Sequence, residues 1–246
     1  MVRHAESAAV HKVFIAFFKG LHMKPWIVIA AYNEAEQIGA VVEDLRKAQY
    51  RQIIVIDDGS NDATEARACS AGAVVFRHMI NRGQGAALKT GIDAALRLGA
   101  EHIVTFDADG QHDPADIADL LQTIRSGKYD VVLGSRFLSK RSAVPWSKRI
   151  ILRGGILFTW IFSGVHLTDA HNGLRAFSRS AAQQITIRQD RMEHASEIID
   201  EIKRHGLRYC EVPVTIKYSA YSLQHGQRPL NSLRIAATLL FRKLTR

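Results

Sequence analysis

The amino-acid sequence predicts a doubly wound α/β fold with a mostly parallel sheet. Three observations lead there. Five short runs rich in Val and Ile alternate with stretches of helical periodicity over residues 26–135. The runs are almost continuously apolar, as strands covered on both faces must be. Polar and acidic residues gather where the runs stop, and sheets of this kind bind ligands beyond the carboxyl ends of their strands.

The elements follow in order. WIVIAAY (26–32) is the first strand, and a helix over 34–48 carries Ile38, Val41, Val42 and Leu45 on one face. QIIVIDD (52–58) is the second strand, followed by a polar turn and an Ala-rich helix over 62–71. AVVFRH (73–78), a Gly-rich turn and a helix over 84–98 come next. HIVTFD (102–107) is the fourth strand, and Pro114 opens a helix over 114–126. DVVLGS (130–135) is the fifth.

Beyond residue 136 the alternation breaks. An apolar helix is expected over 147–164, kinked at Gly154-Gly155. A strand over 173–177, a helix over 193–205 and a strand pair within 207–218 complete the expectation. Residues 1–22 read as an N-terminal extension and 23–220 as the main domain, divided functionally at 136/137. Residues 221–246 form a loop and an amphipathic helix, with Leu233, Ala236, Ala237, Leu240 and Leu244 along one face and Arg234, Arg242, Lys243 and Arg246 around it.

Composition narrows the function classes. The chain has 246 residues, 47% hydrophobic, enough for one large core. Cys69 and Cys210 lack any C-x-x-C spacing, which argues against a disulfide scaffold and fits a reducing compartment. The net charge of +9 is uneven: residues 136–246 hold 19 Lys/Arg against 7 Asp/Glu. Such a basic half implies an anionic partner. No apolar segment reaches the ~18–20 residues of a membrane span. The nearest, VHKVFIAFF (10–18), is interrupted by Lys12 and lacks the marks of a signal peptide.

Three polar clusters fall at strand ends: Tyr32-Asn33-Glu34, Asp57-Asp58-Gly59-Ser60, and Asp107-Ala108-Asp109-Gly110-Gln111. In a parallel sheet these ends share one rim. Asp107 and Asp109, two apart, repel each other unless water or a cation compensates them. A hard divalent cation fits, because it uses one or two carboxylates and completes its shell with water and substrate phosphates. Asn81-Arg82-Gly83-Gln84-Gly85 opens a helix, where glycines permit close approach and the helix N-terminus favours anions. It lacks the third glycine of a dinucleotide fingerprint and is too short for a P-loop. Lys89 reads chiefly as a helix-surface lysine, and His194 with Glu197 as a solvated helix face.

In this order the motifs resemble the family 2 glycosyltransferases of GT-A fold, and within them the dolichol-phosphate mannose synthase-like or polyprenyl-phosphate branch. The resemblance rests on AAYNE (30–34), VIDDGSNDAT (55–64), NRGQGAALKTG (81–91), DADGQHDP (107–114), GSR (134–136), DAHNGLRAF (169–177) and EVPV (211–214). It implies a GT-A sheet with a C-terminal acceptor-side extension, and transfer of a sugar from a nucleotide-sugar donor to a lipid-linked or glycan acceptor, with inversion, in cell-envelope or polysaccharide biosynthesis. It implies Mg²⁺ or Mn²⁺ as cofactor, held by Asp107, Asp109 and Gln111, with Asp109 binding the cation that bridges the diphosphate. Asp57 would contact the nucleobase, with Tyr32 and Glu34 near the nucleoside, Gly83 in the donor loop and Asp107 near the ribose. Arg136 would face the reacting phosphates, stabilising charge as it develops on the leaving group.

On the acceptor side, Asp169 and Glu197 are the candidate general bases; a phosphate acceptor, already ionised, needs none. Arg149, Arg153, Arg175 and Arg228 are the candidate acceptor or phosphate contacts. The branch's Arg-x-x-x-Ser is here Arg149-x-x-x-Arg153, and its Arg-x-x-Gly-x-Ser-Lys tail is replaced by YSLQHGQRPLN (221–231), expected as a mobile loop. The basic C-terminal helix suits peripheral contact with an anionic membrane, on its cytoplasmic face. A homo-oligomer is left open. Two other readings stand beside this one. A sugar-phosphate nucleotidyltransferase would open with a Gly-rich basic turn, where this chain has AAYNEAE. A nucleic-acid-binding module would interleave aromatics with its cations, whereas Phe158, Trp160 and Phe162 cluster in an apolar stretch.

Overall fold

The structure, a computed structural model, describes residues 24–139 and 164–217. The expected 1–22 extension, nearly all of the 147–164 helix, Arg149, Arg153, Arg228 and the 221–246 segment lie outside the described residues.

Among the described residues, seven strands form one mixed sheet: β1 (Trp26–Ala31), β2 (Ile53–Asp57), β3 (Val74–Arg77), β4 (His102–Asp107), β5 (Val131–Ser135), β6 (Arg175–Ser178) and β7 (Tyr209–Pro213). Their spatial order is β3-β2-β1-β4-β6-β5-β7. β1 pairs in parallel with β2 and β4, and β2 with β3, so the first four strands all point the same way. β6 enters antiparallel between β4 and β5. β7 closes the far edge parallel to β5.

Among the described residues, six helices cover the two faces. α1 (Ile38–Lys47), α2 (Thr64–Ser70) and α4 (Ile117–Arg125) pack on one side, against Ile27, Ile29, Ile53, Val55, Val104 and Phe106. α3 (Gln84–Arg97), α5 (Arg179–Gln184) and α6 (His194–Arg204) pack on the other, against Val28, Ile54, Ile56, Ile103, Val131 and Phe177. Adjacent strand residues therefore serve opposite cores, which is why the runs are apolar throughout. Each fully buried Ile contributes about 1.5–3 kcal/mol.

Local chemistry sets the helix ends. Asp113 accepts the Ala115 N–H, and Pro114 starts a single 3₁₀ turn that runs into α4. Ser178 caps α5 by accepting from Ala181, a helix absent from the sequence expectation. α3 meets β1 through Gly91, where an added Cβ would lie 2.3 Å from Val28 Cγ1.

The strand pair expected within 207–218 is corrected to one strand. The segment has no residues suited to reversing the chain in a tight turn. It runs on past Pro213, and Ile216 forms an isolated antiparallel bridge with His112.

Candidate active site

The parallel register places the three polar clusters on one rim. Ala31 lies beside Asp57, and Ala30 beside Asp107. Side chains stitch the first two turns together. Ser60 Oγ accepts from Asn33 N at 2.9 Å, Asn33 Oδ1 from Asn61 N at 2.9 Å, and Thr64 Oγ1 from Glu34 N at 2.9 Å. Asn33 takes a left-handed φ of 54°, which asparagine tolerates better than most residues. Tyr32 stands 43% exposed at this edge, with Glu34 half-buried beside it.

The Asp57-Asp58 pair divides its work. Asp57 Oδ1 accepts from Ser60 N at 2.9 Å. Among the described residues its buried Oδ2 has no hydrogen-bond donor, and Arg77 Nη1 stands 3.6 Å away. Asp58 turns inward: its carboxylate accepts from Arg82 N (3.0 Å), Gly83 N (2.6 Å) and His78 Nδ1 (2.7 Å). It is the anchor of the glycine turn, a role its position in the acidic cluster did not suggest.

The glycines in that turn make room for the protein's own chain. An added Cβ on Gly83 would lie 2.4 Å from the Asp190 carbonyl oxygen, and one on Gly85 would lie 1.9 Å from that of Gln189. Their close approach is to the chain's own 189–191 segment. Two N–H groups preceding α3 go to Asp58, and Ala86 N donates to Asp190 O. The helix N-terminus is thus partly satisfied by the protein itself.

Asp107 and Asp109 follow at the end of β4. Asp107 Oδ2 is 2.9 Å from His112 Nε2, and Oδ1 lies 3.4 Å from Gln84 Nε2. Burial pushes the Asp107 carboxyl up, but His112 and then Arg175 more than offset it and hold it below the usual carboxylate range. Burial, and then the Asp107 charge, raises Asp109. Asp109 Oδ1 accepts from Gln111 N at 3.0 Å, while Gln111 O accepts from Lys217 N. Among the described residues no three His, Cys, Asp or Glu side chains converge on a point that could hold an ion. The pair therefore fits a hard cation only if a substrate diphosphate and water supply most of its ligands.

Arg136 and Asp169, both expected at the chemistry, are paired with each other. Asp169 Oδ2 accepts from Arg136 N and Nε, and Asn172 Nδ2 adds a third contact at 3.3 Å. Glu211, in the EVPV stretch, accepts from the N–H groups of Thr168 and Asp169 and from the Thr168 hydroxyl, which holds the Asp169 loop against β7. No local signal marks that function, because its partners lie more than 40 residues away.

The other residues expected on the acceptor side, where the structure describes them, are engaged as well. Arg175, expected at the acceptor, is 4% exposed; burial lowers it to about 10, with Asp107 and Asp169 opposing that. It serves as their internal counter-charge. Glu197 Oε2 accepts from the backbone N–H groups of Arg188 and Gln189 at 2.9 and 2.8 Å. His194, read as solvated, is buried instead: Nδ1 donates to Arg191 O at 2.7 Å, and burial, then Arg175, drives it down to about 4. Lys89 is taken by Asp93 one helical turn on.

Comparison with known proteins follows the same lines. The family described as "Glycosyl transferase family 2" matches residues 26–186. A UDP-N-acetylglucosamine–dolichyl-phosphate N-acetylglucosaminyltransferase of Methanococcus voltae is 34% identical over 89% of this chain and 96% of its own length. An undecaprenyl-phosphate mannosyltransferase of Micrococcus luteus is 31% identical over 78% of this chain and 83% of its own. Among solved structures, glucosyl-3-phosphoglycerate synthase of Mycobacterium tuberculosis, in complex with Mn²⁺, UDP-glucose and phosphoglyceric acid, superposes with a TM-score of 0.69 at 21% identity, over 90% of this chain and 79% of that one. That likeness is one of fold, the GT-A sheet. The match over residues 26–186 takes in β1 to β6 and the whole acidic rim, and on that ground the chain belongs to glycosyl transferase family 2 and is a glycosyltransferase.

Proposed function

We propose that the protein transfers a sugar from a nucleotide-sugar donor to a polyprenyl-phosphate acceptor, with a divalent cation and with inversion at the anomeric carbon. The observation that carries this reading is the rim itself: Asp57 with a buried oxygen that lacks a donor among the described residues, and Asp107 and Asp109 two strands over, on the far side of β1. A nucleobase N–H is a suitable partner for Asp57 Oδ2, since a buried acceptor without a donor costs about 1–3 kcal/mol. Tyr32 and Glu34 border the nucleoside. Asp109 and the donor diphosphate would hold Mg²⁺ or Mn²⁺, with Asp107 and Gln111 beside them. The cation's contribution is to stabilise charge gathering on the departing diphosphate. Arg136 adds fixed positive charge there, held in place by Asp169.

Two relatives named for dolichyl-phosphate and undecaprenyl-phosphate support the choice of acceptor. So does the engagement of both candidate bases: an ionised phosphate acceptor requires no deprotonation, and Asp169 and Glu197 are already committed to other groups. Such an acceptor places the enzyme at a membrane surface; no described helix is long and apolar enough to cross one.

The test is calorimetry of UDP binding with and without Mn²⁺, then labelled nucleotide sugars offered to a polyprenyl phosphate and to soluble glycans. Metal-dependent UDP binding that Asp109→Ala removes, and label moving to the lipid, are expected. Equal binding without metal, or label moving only to soluble glycans, would overturn the corresponding part.

A further inference from the structure

His112 belongs, by sequence, to the turn after the acidic pair. In the fold its side chain is 2% exposed and its Nε2 lies 2.9 Å from Asp107 Oδ2. The ring leans on Phe106, with centroids 5.4 Å apart at 58°. Its backbone bridges Ile216, while Lys217 N donates to Gln111 O and Lys217 Nζ pairs with Asp113 at 3.0 Å. The turn is thereby clamped to the chain beyond β7.

The opposite ring nitrogen, Nδ1, is buried with no partner among the described residues. That assigns the hydrogen. A carboxylate only accepts, so Nε2 is the nitrogen that donates. Gln84 faces the other Asp107 oxygen, and an added Cβ on Gly173 would lie 2.2 and 2.3 Å from the two oxygens. His112, Gln84 and Gly173 together hem in the Asp107 carboxylate on three sides.

The geometry points to His112 as a positioning residue for the acidic pair, an inference that rests on the donor and metal reading above. Its Nε2–H holds Asp107 as a fixed wall of the site, and Asp109 remains the carboxylate that meets the cation of a nucleoside diphosphate. The division matters because the two carboxylates are only two residues apart. Were both free to turn onto one cation, they would occupy coordination positions that the diphosphate and water must fill. Groups that orient a metal site from behind are typically worth 10–100-fold in affinity.

The test titrates Mn²⁺ by electron paramagnetic resonance in the presence of UDP, on the full chain, with thermal unfolding of each variant alongside. Gln can place an N–H near the Nε2 position; Met is similar in size and has none. His112→Met is expected to weaken Mn²⁺–UDP binding ~10-fold or more, and His112→Gln to stay within ~3-fold of wild type. His112→Asn, polar but one methylene shorter, should lose affinity as Met does, and it carries the test if the Met variant fails to fold. Wild-type affinity in the Met or Asn variant overturns the inference, as does a Gln variant that loses as much as Met. A wild-type protein that binds UDP equally with and without Mn²⁺ overturns the metal reading itself, and this inference with it; the wild-type titration thus separates the two failures.

Discussion

Arg136 and Asp169 close on each other across the rim: Asp169 Oδ2 accepts from Arg136 N at 3.0 Å and from Nε at 2.6 Å, with the carboxylate side chain only 1% exposed. A carboxylate so placed is an anchor. Asp169→Asn removes the charge that balances Arg136, and breaking a buried pair from one side costs about 3–5 kcal/mol. The variant should unfold at a clearly lower temperature by calorimetry. Lost turnover with an unchanged melting temperature would instead mark Asp169 as the general base.

Glu197 calls for a conservative replacement. Its Oε2 takes two backbone N–H groups, and a glutamine oxygen can do the same. Glu197→Gln is expected to keep kcat within ~10-fold of wild type, whereas loss of a general base typically costs ~10²–10⁴-fold. Glu197→Ala should lose more than Gln, because the 188–189 amides then lack their acceptor. Steady-state kinetics of the two variants checks this.

Gly91 sets helix propensity against packing. Alanine there favours the helix by ~1 kcal/mol. Its Cβ would meet Val28 Cγ1 at 2.3 Å and Ile56 Cγ1 at 3.2 Å, and overpacking a core costs ~1–3 kcal/mol. Both neighbours lie on central strands and have little room to move. Gly91→Ala should lower the urea midpoint.

His194 makes stability depend on pH. Burial holds it at about 4 in the folded chain, against the usual 6.5. The folded pKa is depressed, so this contribution is fully present above pH 6.5 and declines as pH falls toward 4, where the unfolded chain takes a proton that the folded chain refuses. The slope is about 1.4 kcal/mol per pH unit, on the order of 3 kcal/mol over the window. His194→Gln should flatten the urea-midpoint profile between pH 6.5 and 4. An unchanged slope would place the titration elsewhere.

Much of the fold was legible because the periodicity is local. The Ile38, Val41, Val42, Leu45 stripe and the continuous runs at 53–56 and 103–106 each declare their element within a dozen residues. The shared rim followed from strands pointing one way. The links between distant residues could not be read in this manner. Glu211 works on residues 42 and 43 positions away, and Gly83 and Gly85 are glycines because a segment over a hundred residues later crosses them. His194 looked solvated because one helix face resembles another until the helix is docked. The single strand at 209–213 is not distinguishable from a pair in sequence, because apolar content alone says nothing about whether a chain turns back.

The antiparallel insertion of β6 has a consequence for how the molecule can be divided. Within the described sheet, β5 is hydrogen-bonded only to β6 and β7, and both come after it in sequence. A fragment stopping after β5 would leave that strand unmatched and expose the β4 edge to other chains. The described segments before and after residue 136 are therefore parts of one cooperative body. An attempt to recombine them from different relatives by splicing at residue 136 would cut through the middle of a sheet.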